Sequence, residues 1–153
     1  TLFSMLALVL IGYFFGWKQM LVSTVAFIAV KIWIDWPFPN LKPDAEIADY
    51  IFGYGVLVIG GIIAHKKDNL KLGYVVAVVL RYIESIINCL YFHYIATDSV
   101  WANIKEAFGY SALYVISEAV VTLVILFIPK VIEAIEYWKY VSNNDMPIDL
   151  DTY

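Results

Sequence analysis

Long apolar runs separated by short polar clusters set the pattern of this chain. The runs cover residues 2–17, 20–34, 47–64, 72–95 and 107–132. Between them stand "GWKQ", "WPFPNLKPDAE", "HKKDNLK" and "ATDSVWANIKE", rich in the Gly, Pro, Asn and Asp that punctuate secondary structure. A helix that crosses a bilayer needs roughly 17–25 residues, which the last three runs meet outright. The pattern predicts an all-α, polytopic membrane helical bundle with five spans visible. Because the sequence opens at Thr1 inside an apolar run, a sixth span is expected to precede it. The last helix is expected to run on past the membrane through "VIEAIEYWKYV" and then fray in "SNNDMPIDLDTY". The chain thus divides into a transmembrane bundle over 1–132 and a cytoplasmic C-terminal helix extension and tail over 133–153.

Composition agrees with the pattern. Hydrophobic residues make up 62% of the 153 and charged residues 16%, and mean hydropathy is +0.75. A soluble domain is about 45–50% apolar and about 25% charged, so here the bilayer takes the place of water. Net charge is −4, with the acids gathered in loops and tail and no basic stripe for nucleic acid. The single cysteine, Cys89, excludes an internal disulfide framework and a cysteine-based zinc site. No His-Glu metal motif occurs, and His65 and His93 fall at opposite ends of spans. The expectation is a protein that is not an enzyme and needs no cofactor or metal.

Basic residues orient the bundle. Lys18, the group His65, Lys66, Lys67 and Lys71, and Lys130 occupy alternate breaks, which puts those breaks and the C-terminus in the cytoplasm. The segments 35–46 and 97–106 then face outside.

Against this apolar background, residues 78–95, "VVLRYIESIINCLYFHYI", hold a cation, an acid and an amide. Arg81, Glu84, Ser85, Asn88 and Phe92 recur at helical spacing and share one face. Counted from the outer end of its run, Glu84 lies about 16 Å deep and Asn88 about 10 Å. On the next run Tyr110, Tyr114, Ser117 and Glu118 share a face, with Glu118 also about 16 Å deep if the helix starts near Ala107. The preceding run begins "DYIFGYG", with Asp49, Tyr50 and Tyr54 in its outer turns. Ionised groups facing lipid cost several kcal/mol each, so these stripes are expected to face one another around an outward-open cavity. Tyrosine rings and carboxylates suit a small cationic aromatic ligand, at about 0.5–2 kcal/mol per cation–π contact.

Each feature has a plainer reading. Arg81 can neutralise Glu84 one turn away, or Glu118. Ser85, Ser111 and Ser117 can serve close helix packing, and so can Gly53, Gly55, Gly60 and Gly61, which lack the pattern of a phosphate cradle. His93 can be an ordinary interfacial residue, Asp49 and Tyr50 a helix cap and a belt aromatic, and Lys31 a snorkelling cation.

Three of these stretches carry a family resemblance. "DYIFGYGVLVIGG", "VAVVLRYIESIINCLYF" and "YSALY" resemble the fourth, fifth and sixth helices of the thiamine-type substrate-binding (S) components of energy-coupling-factor (ECF) vitamin transporters. The resemblance implies a six-helix fold in a bacterial cell membrane and tight binding of a vitamin from outside without chemistry. It also implies a membrane scaffold subunit and two ATPase subunits as partners. On it, Asp49 matches the ligand-binding carboxylate, Tyr50 its aromatic neighbour and Tyr110 a binding tyrosine. Ser85 and Val115 stand where the family has a histidine and an asparagine, and Cys89 where it has a glycine.

The expected function is therefore a membrane substrate-binding subunit for thiamine or a related heteroaromatic vitamin or precursor. Asp49 and Glu84 would supply charge, Tyr50, Tyr110 and Tyr114 would stack, and Asn88 would read a ring edge, with Ser85 and Glu118 beside them. The rival expectation is a stand-alone, proton-coupled small-molecule transporter with Glu84 and Glu118 as its relay.

Overall fold

A computed structural model of the chain describes residues 3–35, 43–93 and 100–144. The segment 36–42, read above as loop, residues 94–99, read as the end of the fourth run and the start of a loop, and the tail 145–153 lie outside the described residues, as do residues 1–2 and the side chains of Phe92 and His93.

The described residues are helical, with no strand among them. In chain order the helices are α1 (Ser4–Phe15), α2 (Trp17–Asp35), α3 (Pro43–Gly55), α4 (Leu57–Lys67), α5 (Leu70–His93), α6 (Val100–Ser111), α7 (Ser117–Leu126) and α8 (Pro129–Asn143). A π-helical turn over Ala112–Ile116 joins α6 to α7. Among the described residues, three stretches are long and apolar enough to cross a membrane: Trp17–Asp35, Glu46–Lys66 and Trp101–Leu126. The second includes both α3 and α4, which meet at Val56 with the Val56 N–H still donating to Phe52 O at 3.0 Å. Large apolar side chains such as Val22, Trp33, Phe52, Leu113 and Val124 lie exposed on these stretches, as an apolar solvent requires.

Helices α1, α4 and α5 form the centre, and small residues set their spacing. A Cβ on Gly60 of α4 would come within 2.5 Å of the Ala77 Cβ and 2.6 Å of the Gly73 carbonyl of α5. A Cβ on Gly12 of α1 would come 2.8 Å from the Gly61 Cα. Backbones this close gain van der Waals contact that larger residues would forbid. Gly60 and Gly61 are thus packing glycines, whereas nothing lies within 4 Å of a Cβ on Gly55.

The α4–α5 turn is written in two residues. Asp68 takes the left-handed conformation (φ 48°) that ends α4, and Asn69 caps α5 by accepting from Leu72 N at 2.9 Å. Around it gather the helix ends that the basic residues mark, the inner ends on the sequence expectation. His65 Nδ1 lies 3.1 Å from Tyr13 O, Lys71 Nζ sits 4.9 Å from the Phe127 ring, and Lys139 Nζ binds Asp68 Oδ1 at 2.5 Å. The basic breaks that sequence placed together are therefore together in space.

Two boundaries differ most from the sequence expectation, beside smaller shifts that start α2 at Trp17 and α3 at Pro43. Helix α6 starts at Val100 rather than near 107, because "VWANIKE" keeps Asn103 and Ala107 on the buried face and Lys105 and Glu106 exposed. The last helix does not run on. It stops at Leu126, and Ile128 is extended (ψ 116°) ahead of Pro129, which opens α8. Proline disfavours helical backbone in the residue before it and is well suited to a helix's first turn.

Candidate functional site

Arg81, eleven residues into α5, stands about 16 Å above its inner end. Its side chain is 3% exposed and reaches across to α3. Nη2 binds Asp49 Oδ2 at 2.8 Å, and Nη1 binds the Asp49 carbonyl at 3.2 Å and Glu84 Oε2 at 2.5 Å. The guanidinium also lies 5.6 Å from the Tyr54 ring, in cation–π range. Gly53 makes the crossing possible: a Cβ there would fall 1.3 Å from Nη1. Two acids around one cation leave the cluster a formal charge of −1. The Asp49 side chain remains 30% exposed, against 11% for Glu84, so it is the arm that a ligand can reach.

An aromatic and ionic extension continues toward α2. The Tyr54 ring packs edge-on to Phe27 at 4.8 Å and 6.2 Å from Tyr50. Tyr50 is buried, and its hydroxyl donates to Asp35 Oδ2 at 2.6 Å. Lys31 binds the same Asp35 oxygen at 2.6 Å and sits 5.3 Å from the Tyr50 ring centre, so it engages protein groups. Sequence reading passed over Asp35 and gave Lys31 only a lipid-facing role, although their i, i+4 spacing signals a pair.

The structure brings some predicted site residues together and separates others. Asp49 and Glu84 meet on Arg81. Asn88, one turn beyond Glu84, has its amide within hydrogen-bonding reach of the Glu84 carboxylate. Tyr50 joins through Tyr54. Ser85 is buried and donates to Ser111 Oγ at 3.0 Å, the packing role; Val115 is fully buried in the core. Tyr110 is 65% exposed and Tyr114 48% exposed. Tyr114 still lies within electrostatic range of Arg81 and Asp49; Tyr110 lies outside the cluster.

The cause is the π-helical turn. The buried stripe of this helical stretch runs Asn103, Ala107, Ser111, Val115, Ala119, a strict spacing of four that an ordinary α-helix would let drift around its axis. The wider π turn keeps the stripe on one side, and Tyr110 and Tyr114 stand one position off it. Ser117 Oγ donates to Leu113 O within the same turn.

Glu118 lies in a different place altogether. It is 8% exposed and accepts from the backbone N–H of Met5, at the start of α1, at 3.4 Å. Measured from the inner ends of α5 and α7, Glu84 stands about 21 Å up and Glu118 about 12 Å. The two acids that sequence placed at one depth are about 9 Å apart along the helices, because α6 begins earlier than its polar residues suggest.

No family model, curated protein or solved structure matches this chain.

Proposed function

We propose that the chain is a multi-pass protein of a bacterial cell membrane, with its C-terminus cytoplasmic, that binds a small cationic heteroaromatic solute from outside. In this reading it is the substrate-binding subunit of an ECF-type vitamin uptake system, thiamine or a related precursor its ligand, and a scaffold subunit and two ATPases its partners. Five spans are proposed: the three apolar stretches, α1, and α5, whose 24 residues reach about 36 Å.

The observation that carries the reading is the Asp49–Arg81–Glu84 cluster beside Tyr54 and Tyr50. It has one negative charge in excess, one partly exposed carboxylate and an aromatic wall, which together complement a cation with a flat ring. A ligand ammonium or thiazolium would take up Asp49 while Arg81 remains held by Glu84. Titration of the purified protein with thiamine tests it: intrinsic Tyr and Trp fluorescence is expected to fall at sub-micromolar ligand. Asp49→Asn is expected to raise the midpoint more than about tenfold, the scale of one charge-assisted contact. Absence of any response to thiamine sinks the vitamin assignment, and a response to another vitamin replaces it.

A second reading, a carrier driven by a cation gradient without ATPases, is favoured by one observation. Glu118 is buried without a cationic side chain paired to it among the described residues. Solute uptake by liposomes holding this chain alone would select it.

A further inference from the structure

Glu118 belongs to a second polar constellation in the inner half of the bundle. Thr122 follows it by one turn on α7, so both project from the same face. Tyr74 comes from α5, which packs against α7. Tyr74 and Thr122 are both fully buried, and each stands about 6 Å from the inner end of its helix. The Tyr74 hydroxyl approaches Thr122 and lies within electrostatic range of Glu118. Neither the Tyr74 nor the Thr122 hydroxyl makes a hydrogen bond of ordinary geometry. The Glu118 carboxylate accepts from the backbone N–H of Met5, and the Phe3 N–H lies within hydrogen-bonding reach of it. Among side chains, the other charged or titratable groups in range are Arg81 and Tyr114, and Arg81 is already held by Asp49 and Glu84.

This places a carboxylate without a cationic side-chain partner among the described residues beside two hydroxyl oxygens without a hydrogen bond of ordinary geometry, all buried. Buried polar groups are ordinarily satisfied, so two such hydroxyls beside a buried acid call for a missing ligand. A proton would neutralise the acid and leave Glu118, Tyr74 and Thr122 to bond to one another, since each hydroxyl can donate as well as accept, yet neither hydroxyl makes such a bond. A divalent ion would leave a net positive charge where the dielectric is low. Hard cations take oxygen ligands, and a monovalent one cancels the single charge. The geometry points to a sodium-binding site formed by the Glu118 carboxylate, Thr122 Oγ1 and the Tyr74 hydroxyl. It is separate from the Asp49 cluster and holds whether or not a vitamin binds there.

The test uses the purified full chain in lipid nanodiscs without any vitamin. An apolar carbodiimide modifies carboxyl groups in apolar surroundings, and mass spectrometry reads the rate at Glu118. Sodium chloride is expected to slow that rate about tenfold relative to choline chloride at equal ionic strength, as occupancy of a site near nine parts in ten requires. Thr122→Val and Tyr74→Phe are expected to keep the modification and lose the sodium protection. Sodium is also expected to raise the melting temperature of the wild type and leave that of Glu118→Gln unmoved. Equal rates in sodium and choline would overturn the proposal and leave a proton site. So would an unreactive Glu118 in a protein whose melting temperature ignores sodium.

Discussion

The Arg81 cluster and the Glu118 cluster lie on the same packed helices, yet they solve the problem of a buried acid in opposite ways. At Arg81 the opposing charges meet within the chain: two carboxylates at 2.5 and 2.8 Å and a tyrosine ring face one guanidinium. At Glu118 the acid has two backbone amides and nearby hydroxyls, and no cationic side chain pairs with it among the described residues. Breaking a buried pair strands a charge, so the first cluster is a fixed frame. The second has backbone N–H groups for its carboxylate and, on the proposal above, a bound ion for its charge. A carboxylate with an internal partner positions neighbouring groups, whereas one without a partner has room for a mobile ion.

The largest effect is expected from Arg81→Met. It leaves Asp49 and Glu84 facing each other across an apolar helix pair, and stability in detergent should drop by about 3–5 kcal/mol. Adding Asp49→Asn and Glu84→Gln to the same variant should recover much of the loss, because the stranded charges go with their partner. Chemical or thermal unfolding followed by circular dichroism checks both. An Arg81→Met protein as stable as the wild type would erase the distinction between the clusters.

Next comes the spacing of the helices that carry them. Gly73→Leu drives a side chain into the Ala64 and Gly60 backbone, where even a Cβ would sit 2.3 Å from the Ala64 Cβ. Overpacking of this kind costs about 1–3 kcal/mol. It should disturb the inner cluster first, since Tyr74 is the next residue. Gly53→Ala should act on the outer cluster instead, by displacing the guanidinium. Gly55→Ala, in open space, should change stability by less than about 1 kcal/mol. Melting temperatures of the three variants give the ranking, and a Gly55 variant worse than the Gly73 one would contradict it.

How much of this could be read in the sequence follows from which contacts are local. The helical class, the apolar stretches and the gathering of basic ends were legible, because periodicity and turn residues are local signals. The pairing of Arg81 with Glu84 was legible from one helical turn. The meeting of Arg81 with Asp49 was legible only as two stripes expected to face each other. The role of Gly53 was hidden, because a glycine that yields space to a side chain of another helix looks like any packing glycine. The π turn was hidden as well, and with it the outward swing of Tyr110 and Tyr114, since helical spacing assumes 3.6 residues per turn throughout. Glu118 was misplaced in depth because Asn103, Lys105 and Glu106 resemble a loop. Its partners on α1 and α5 are long-range contacts that no local pattern announces.

A smaller effect is expected at Glu118 itself. Gln keeps an acceptor for Met5 N and removes a charge that has no internal ion pair. In sodium-free buffer Glu118→Gln should therefore shift stability by no more than about 1 kcal/mol, the scale of one hydrogen bond. A loss as large as that of Arg81→Met, measured under the same conditions, would show that Glu118 is held as firmly as Glu84 and that the two clusters are of one kind.

The smallest effect sharpens the comparison from the water side. Lys139 of α8 binds Asp68 at the α4–α5 turn, but the Asp68 side chain is 76% exposed. The hydrogen bond and charge of Lys139 hold the Asp68 carboxyl below the usual carboxylate range. A carboxyl lowered by folding adds stability that is fully present above its unfolded value of about 3.9 and fades as pH falls through the lower folded value. The melting temperatures of wild type and Asp68→Asn should therefore differ slightly near neutral pH, by an equivalent of at most about 1 kcal/mol, and converge in strong acid. Lys139→Ala should cost somewhat more than Asp68→Asn, because Lys139 Nζ also lies 3.7 Å from the Tyr13 ring, a contact of about 0.5–1 kcal/mol that acid does not remove. A gap between wild type and Asp68→Asn that persisted below the folded value of Asp68 would mean that the turn depends on the shape of this residue and not on its charge. Where water can reach, an acid scarcely needs its partner. A cation between acids about 16 Å up α5 is expected to decide whether the bundle stays folded.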